Sequence, residues 1–383
     1  MKENKRILMV ADMIFYPPNQ GNRRRIYNFI KLMQEKGYTV DYLFYSLHRC
    51  ENWKEMQDIL KEGKFIFFRL KKNKPSMWAP RWKMLGRFAP PNRVDDFYLG
   101  EVDKKIQTIL EKKEHSVLWL EYMIQSKSIE NLKYPITTVI DTHDRFSWRN
   151  FRMYPFSHAN TGFSPTYLGE RKALKRADYV IAIQKQEGVF FEKLLRGTKT
   201  KIVTIGDNHE IIKNEVKNNH NICFIGSDNK LNIDAINWFI QEVFPLITYT
   251  IKDCKLLVVG KVCKVVQPLN ENIECLGLVD DLDEVYANCR LVVNPVRGGT
   301  GLNIKSIEAI AHCKPLVCTT VGAKGIKYNK LVLDVADDKN LFAQKVIQLL
   351  EDDLLCQQFQ ENCFEYMKRY NNRNREELGK ILK

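Results

Sequence analysis

The chain has 383 residues, 44% of them hydrophobic and 28% charged, a balance that fits a soluble globular protein and excludes wholesale disorder. At roughly 100 to 200 residues per domain, the length predicts two domains, each with its own core. A formal net charge of +14 points to anionic partners: phosphorylated substrates, anionic lipid or nucleic acid.

The opening residues, MKENKRILMVADMIFY, put basic residues before an apolar run that breaks at Asp12 and offers no small-residue cleavage site. They predict a buried first strand over 6–11 rather than a leader. Pro17, Pro18, Asn19, Gln20 and Gly21 are turn chemistry, and Ile26, Phe29, Ile30 and Met33 then recur at helical spacing until Gly37. A strand over 39–45 follows, and strand-helix-strand alternation predicts a parallel sheet with helices on its faces.

Between Glu62 and Asp95 there is no carboxylate, while Lys64, Arg69, Lys71, Lys72, Lys74, Arg81, Lys83, Arg87 and Arg93 alternate with Phe65, Phe67, Phe68, Trp78, Trp82 and Phe88. Segment 64–93 therefore has two readings: a contact with an anionic membrane surface, or a solvated connector with a few rings tucked into the core. The strand rhythm continues over 116–121 and 137–141. A helix over 167–177 leads to a strand over 179–183, and a last strand is expected over 201–205.

Polar residues over 207–221 predict a linker. The pattern then restarts with a strand over 221–226, a helix over 232–247, strands over 255–259, 273–276 and 291–294, a helix over 302–312 and a strand over 315–319. The stretch 341–383 is helical and charged, with Asn371 and Asn372 as an expected kink where the last helix turns back. The expected division is 1–207, 208–365 and a terminal helix over 366–383 that packs on the first domain.

The ten cysteines form no CxxC pair, so they are expected to be reduced thiols in a cytoplasmic protein. No window reaches the ~18 consecutive apolar residues of a membrane span. The expected location is the cytoplasm, including a peripheral position at the inner face of the membrane.

Chemistry concentrates in 294–311. An apolar strand ending at Asn294 runs through Gly298, Gly299, Thr300 and Gly301 directly into a helix. Glycines let backbone amides approach a ligand closely, and a helix N-terminus adds unpaired N–H groups and a positive dipole, which together suit a phosphate. Lys305 in the first turn opposes that dipole unless a polyanion is bound. Glu308, three residues on, is placed to accept hydrogen bonds from a ribose.

The run from Gly298 to Ala311, followed by Cys313-Lys314-Pro315-Leu316-Val317-Cys318 and Val321-Gly322-Ala323-Lys324-Gly325, resembles the donor-site signature of retaining GT-B glycosyltransferases of family four, the glycosyl transferases group 1. Phe224-Ile225-Gly226-Ser227, Asn232 to Trp238, Leu257 to Gly260 and Leu276 to Asp281 fit that family in order. The resemblance implies an α/β protein of two Rossmann-like doubly wound domains facing across a cleft, with the C-terminal helix returning to the first domain. It implies an enzyme that takes a sugar from a nucleotide diphosphate, UDP or GDP, and passes it to a glycan or lipid-linked acceptor. No cofactor or metal is expected, since no carboxylate cluster or DxD triplet stands out, and nucleic acid is not expected as a partner.

By resemblance, amides at Leu302, Asn303 and Ile304 hold the diphosphate, Glu308 the ribose, and Val279 and Asp280 lie against the base. Gly21 and Arg23 match the loop after the first strand. Asp141, His143 and Asp144 match a motif beside the reacting centre, which makes His143, Asp144 and Lys305 the expected catalytic residues. Two departures stand out: Thr300 replaces a sugar-contacting glutamate, and Ser227 with Lys230 replaces an Arg and Lys pair. The alternatives from other classes are a nucleotide-sugar epimerase of similar fold and a non-catalytic protein binding nucleic acid or membrane.

Overall fold

A computed structural model describes residues 5–71, 91–152, 163–266, 271–279, 281–299, 302–327 and 331–382. The described residues up to Asn208, together with those from Asn374 onward, form one compact unit, and His209–Arg373 form a second.

In the first unit the chain alternates β1 (Arg6–Ala11), α1 (Gly21–Glu35), β2 (Thr39–Ser46), α2 (Trp53–Leu60), β3 (Phe65–Arg69), α3 (Gly100–Leu110), β4 (Val117–Glu121), β5 (Thr137–Asp141), α4 (Tyr167–Leu174), β6 (Tyr179–Ala182), α5 (Lys185–Leu194) and β7 (Lys201–Thr204). The seven strands lie in the order β3-β2-β1-β4-β5-β6-β7, all parallel. Successive side chains leave a strand on opposite faces. Ile7, Met9 and Ala11 of β1 accordingly join a core with Ile26, Phe29, Ile30, Leu378 and Ile381, while Leu8 and Val10 join another with Val102, Ile106, Ala173 and Phe191.

The second unit repeats the scheme: β8 (Asn221–Ile225), α6 (Lys230–Trp238), α7 (Phe244–Thr250), β9 (Lys255–Val259), β10 (Ile273–Gly277), α8 (Leu282–Asn288), β11 (Leu291–Asn294), α9 (Ile304–Ala311), β12 (Leu316–Cys318), β13 (Asp334–Val335), α10 (Lys339–Glu351) and α11 (Asp353–Ile381). Its six strands run β10-β9-β8-β11-β12-β13. Each sheet reverses its winding once, between β1 and β4 and between β8 and β11. The carboxyl ends of those strand pairs are where such sheets take ligands.

Three expectations change. Residues at the start of 64–93 form β3, where Phe65 stacks on Tyr42 with ring centroids 6.2 Å apart and Phe67 on Phe44 at 5.6 Å; these rings belong to the sheet. The stretch 72–90 lies outside the described residues. The single helix expected over 232–247 instead passes through a π turn at Phe239–Val243 into α7. Pro245 has no N–H to continue the ladder, so the register has to change there. No kink breaks α11 at Asn371, because its side chain donates to the His209 carbonyl at 2.7 Å and leaves the helical backbone bonds alone.

All ten cysteines are free thiols. Among the described residues no helix is long and apolar enough to cross a membrane.

Candidate functional site

The last residue of β11, Asn294, is buried and organises the glycine-rich loop. Its Nδ2 donates to Asn303 Oδ1 at 3.0 Å and to Ser306 Oγ at 2.7 Å, which ties the strand end to the start of α9. Ser306 Oγ donates in turn to the Gly322 carbonyl at 2.8 Å, and Asn303 Nδ2 to that of Val321 at 3.3 Å. A Cβ at position 322 would lie 2.6 Å from the Asn294 carbonyl oxygen, so only glycine lets this turn sit so close. Gly299 has φ 131°, a backbone state that side chains resist.

Helix α9 therefore opens at a fixed point, at the winding reversal of its sheet. Its first turn carries no acid and no side-chain cap, which leaves its leading N–H groups for a ligand or solvent. The Lys305 ammonium donates to Asn232 Oδ1 at 2.5 Å and lies 5.0 Å from the centre of the Phe224 ring. Among the described residues it has no ion-pair partner, and burial lowers its pKa to about 7. Asn232 is held by Ser227, whose carbonyl and hydroxyl oxygens both accept from it at 3.1 Å. Ser227, Asn232 and Lys305 thus form one chain of hydrogen bonds. Lys230 stands apart on the exposed face of α6, 3.2 Å from Asp234.

Glu308 is 6% exposed, one helical turn beyond Lys305. Behind it His312 stacks on Tyr286 with centroids 3.9 Å apart and meets Asp283 at 2.9 Å, fixing the other end of α9. Val279 lines a groove of about 690 Å³ with Leu257, Leu276, Glu284 and Val285. Asp280, Thr300 and Gly301 lie outside the described residues; Leu302 and Ile304 flank Asn303 at the loop-to-helix junction.

In the first unit, Glu121 and Asp141 are register partners at the carboxyl ends of β4 and β5. Both oxygens of Asp141 accept from Arg25, Nε and Nη2 each at 2.7 Å, and both side chains are fully buried. Glu121 accepts from Trp119 Nε1 at 2.8 Å and meets His143 Nε2 at 2.5 Å. That same nitrogen is 3.5 Å from Asp141. Burial raises the Glu121 pKa, against the pull of His143. The His143 ring stacks on Tyr122 at 4.3 Å, and both residues hold positive φ, 56° and 63°. Two side chains are thereby turned toward one strand end at a backbone cost.

The sequence suggested His143 and Asp144 as a pair, but the structure separates their partners. Asp144 accepts from the Arg145 amide at 2.8 Å and faces Arg149 at 3.2 Å. The partners sequence reasoning missed are Glu121 and Arg25. Glu121 ends an otherwise apolar strand, and Arg25 sits inside the apolar stripe of α1 beside Ile26 and Phe29; a charge in either place was the available signal.

No carboxylate cluster was expected, yet facing atoms of Glu121, Asp141 and His143 lie within 4.8 Å of one another, as metal ligands can. Here they bond to one another and, through Asp141, to Arg25, so the group forms a buried hydrogen-bonded network around the Arg25–Asp141 ion pair. Gly21 opens α1 after Gln20, and Arg23 follows in its first turn, which also lacks an acid.

Residues 219–352 match the family model described as Glycosyl transferases group 1. A Klebsiella pneumoniae protein, described as an uncharacterized 44.6 kDa protein in the cps region, is 23% identical over 163 residues. That match covers 39% of this chain and 42% of the relative's length. The crystal structure of Anabaena HepE with UDP and glucose superposes with a TM-score of 0.65 at 14% identity, covering 98% of each chain. That of an S. aureus TarM mutant with Fondaparinux, alpha-GlcNAc-glycerol and UDP gives 0.69 at 14% identity, covering 99% of each. The fold is GT-B, two parallel α/β sheets with helices on their faces.

Proposed function

We propose that the protein is a glycosyltransferase that moves a sugar from a nucleotide diphosphate sugar to a glycan or lipid-linked acceptor, with retention at the anomeric carbon and without a metal. The observation that carries this reading is Lys305: an ammonium with no ion-pair partner among the described residues, in the first turn of a helix that follows a glycine-rich loop at the winding reversal of its sheet. An isolated cation there is unfavourable beside the helix dipole, and a diphosphate reverses the sign of that interaction. UDP stands in the names of both solved neighbours, which supports a uridine donor over a guanosine one.

On this reading the bond between the anomeric carbon and the diphosphate oxygen breaks as the acceptor oxygen bonds to that carbon, and the acceptor proton leaves to the departing phosphate or to water. The transition state is oxocarbenium-like, so charge developing on the leaving group is what needs stabilising. The amides at Leu302, Asn303 and Ile304 and the Lys305 ammonium supply this, with Gly299, Thr300 and Gly301 assigned to donor binding. Glu308 takes the ribose hydroxyls, Val279 and Asp280 bound the base, Ser227 borders the phosphates through Asn232 and Lys305, and Lys230 reaches them by leaving its exposed pair with Asp234.

In the first unit Gly21 and Arg23 are assigned to donor binding, and His143 and Asp144 to orienting the acceptor hydroxyl or the sugar. The Glu121–His143–Asp141–Arg25 network holds the imidazole in one orientation. Ten free thiols support a reducing, cytoplasmic setting.

A thermal-shift screen with UDP, GDP, ADP, CMP and their sugar conjugates tests the reading. One nucleotide diphosphate class is expected to raise the melting temperature of the wild type, and Glu308→Ala to abolish that shift. Stabilisation by nucleic acid or anionic vesicles alone, with none by any nucleotide, overturns it.

A further inference from the structure

The turn that follows β12 lies against the glycine-rich loop from outside helix α9. Thr319 Oγ1 donates to the Val296 carbonyl and accepts from the Gly322 amide, the latter at 3.0 Å. Ser306 and Asn303 hold the carbonyls of Gly322 and Val321 from the other side. The turn is therefore fixed to both ends of the loop, and Lys324, three residues beyond Val321, is delivered to it.

Lys324 is half-buried, and its Nζ lies 3.4 Å from the Gly299 carbonyl. One long hydrogen bond to a neutral oxygen is little for an ammonium with three protons to donate. The carboxylates on neighbouring elements are engaged elsewhere. Asp337 accepts from the Thr320 amide and hydroxyl at 2.9 and 2.6 Å, and Asp334 pairs with Lys345 at 2.7 Å. Among the described residues Lys324 makes no ion pair.

Two ammoniums from different elements, Lys305 on α9 and Lys324 on the turn, thus bear on one loop, each held by a neutral oxygen instead of a counter-ion. We propose that Lys324 is a second donor-side cation, taking an anionic oxygen of the nucleotide sugar beside Gly299. This assignment rests on the transferase reading above and deepens it. Two groups of a donor can present such an oxygen there: the sugar-linked phosphate, or a carboxylate on the transferred sugar.

Isothermal titration of wild type, Lys324→Met and Lys324→Arg with UMP, UDP, UDP-glucose and UDP-glucuronate separates these sources. If the phosphate is the partner, Lys324→Met keeps UMP affinity within about twofold and weakens UDP and both sugar conjugates about tenfold, as loss of one charge-assisted hydrogen bond does. If the carboxylate is the partner, only UDP-glucuronate weakens, by a similar factor. In both cases Lys324→Arg recovers part of the loss.

Equal affinities of wild type and Lys324→Met across the series overturn the assignment while the transferase reading stands. So does an equal loss for all four ligands, UMP included, which marks Lys324 as a loop pin. A wild type that binds none of these ligands or their guanosine counterparts takes down both.

Discussion

The two sheets share a winding scheme and reverse it at equivalent places, yet their strand ends are filled in opposite ways. At the end of β4 and β5 the first unit spends its charges on itself: Arg25 covers both oxygens of Asp141, and His143 bridges Asp141 and Glu121. At the end of β11 the second unit leaves Lys305 and Lys324 without an ion pair among the described residues, held by an amide oxygen and a backbone carbonyl. A self-neutralised cluster fixes geometry and contributes to folding. An uncompensated one costs stability until an anion arrives, and so belongs to binding. Removing a charge should therefore lower stability in the first unit and lower affinity in the second.

The largest effect is expected from Asp141→Asn. Breaking a fully buried pair strands the Arg25 guanidinium, at a cost of about 3–5 kcal/mol. Urea unfolding followed by circular dichroism measures it. A loss below about 1 kcal/mol would show that the first cluster is not the structural anchor the comparison makes it.

Lys305→Met is the counterpart, with the opposite split. Its nucleotide diphosphate affinity should fall about tenfold to a hundredfold, in line with ~1.5–3 kcal/mol for a hydrogen bond to a charged group, while unliganded stability stays level or rises. The pH dependence sharpens this. Burial lowers the Lys305 pKa from 10.5 to about 7, so the folded chain holds fewer protons there than the unfolded chain between those values. Its destabilising contribution is complete below pH 7 and is relieved as pH rises toward 10.5. Anion binding restores the ordinary value, so wild type should take up a proton on binding nucleotide near pH 8, read as a buffer-dependent heat of binding. That uptake should vanish in Lys305→Met; a buffer-independent heat in wild type breaks the link between Lys305 and the anion.

What could be read in advance follows the same division. The glycine-loop end of the second unit is contiguous in sequence: strand, glycines and helix occupy 291–311, so local chemistry and periodicity exposed it. The acid network is not contiguous. Arg25 and Asp141 are 116 positions apart and Glu121 and His143 are 22 apart, and they meet only because β4 and β5 align Glu121 with Asp141. Asn294 escaped notice because its work is done through Ser306 and Gly322, which no spacing rule connects to it. Lys324 appeared only as one residue of a resembling motif, because its distance to Gly299 depends on a turn fixed by hydrogen bonds. Pro245 was visible, and its missing N–H was the signal for the broken helix.

Glu187 provides the smallest expected effect and a check on how far self-neutralisation extends in the first unit. It lies in the first turn of α5, just beyond the end of β6, buried, with Oε1 3.5 Å from Gln184 Nε2 and Oε2 without a hydrogen-bond partner among the described residues. Burial first, and then the charge of Asp144, raise its pKa from 4.5 to about 8, so near neutral pH it is held as the uncharged acid. Between those values the folded chain binds more protons than the unfolded one. The stability that this carboxyl contributes is therefore fully present below pH 4.5 and lost as pH rises through 8. Glu187→Gln fixes the neutral form, and its melting temperature should match wild type near pH 5 and exceed it by a few degrees at pH 9. If the two melting curves run parallel from pH 5 to 9, Glu187 is ionised in the folded chain, and a neighbouring cation such as Arg152 compensates it as Arg25 compensates Asp141.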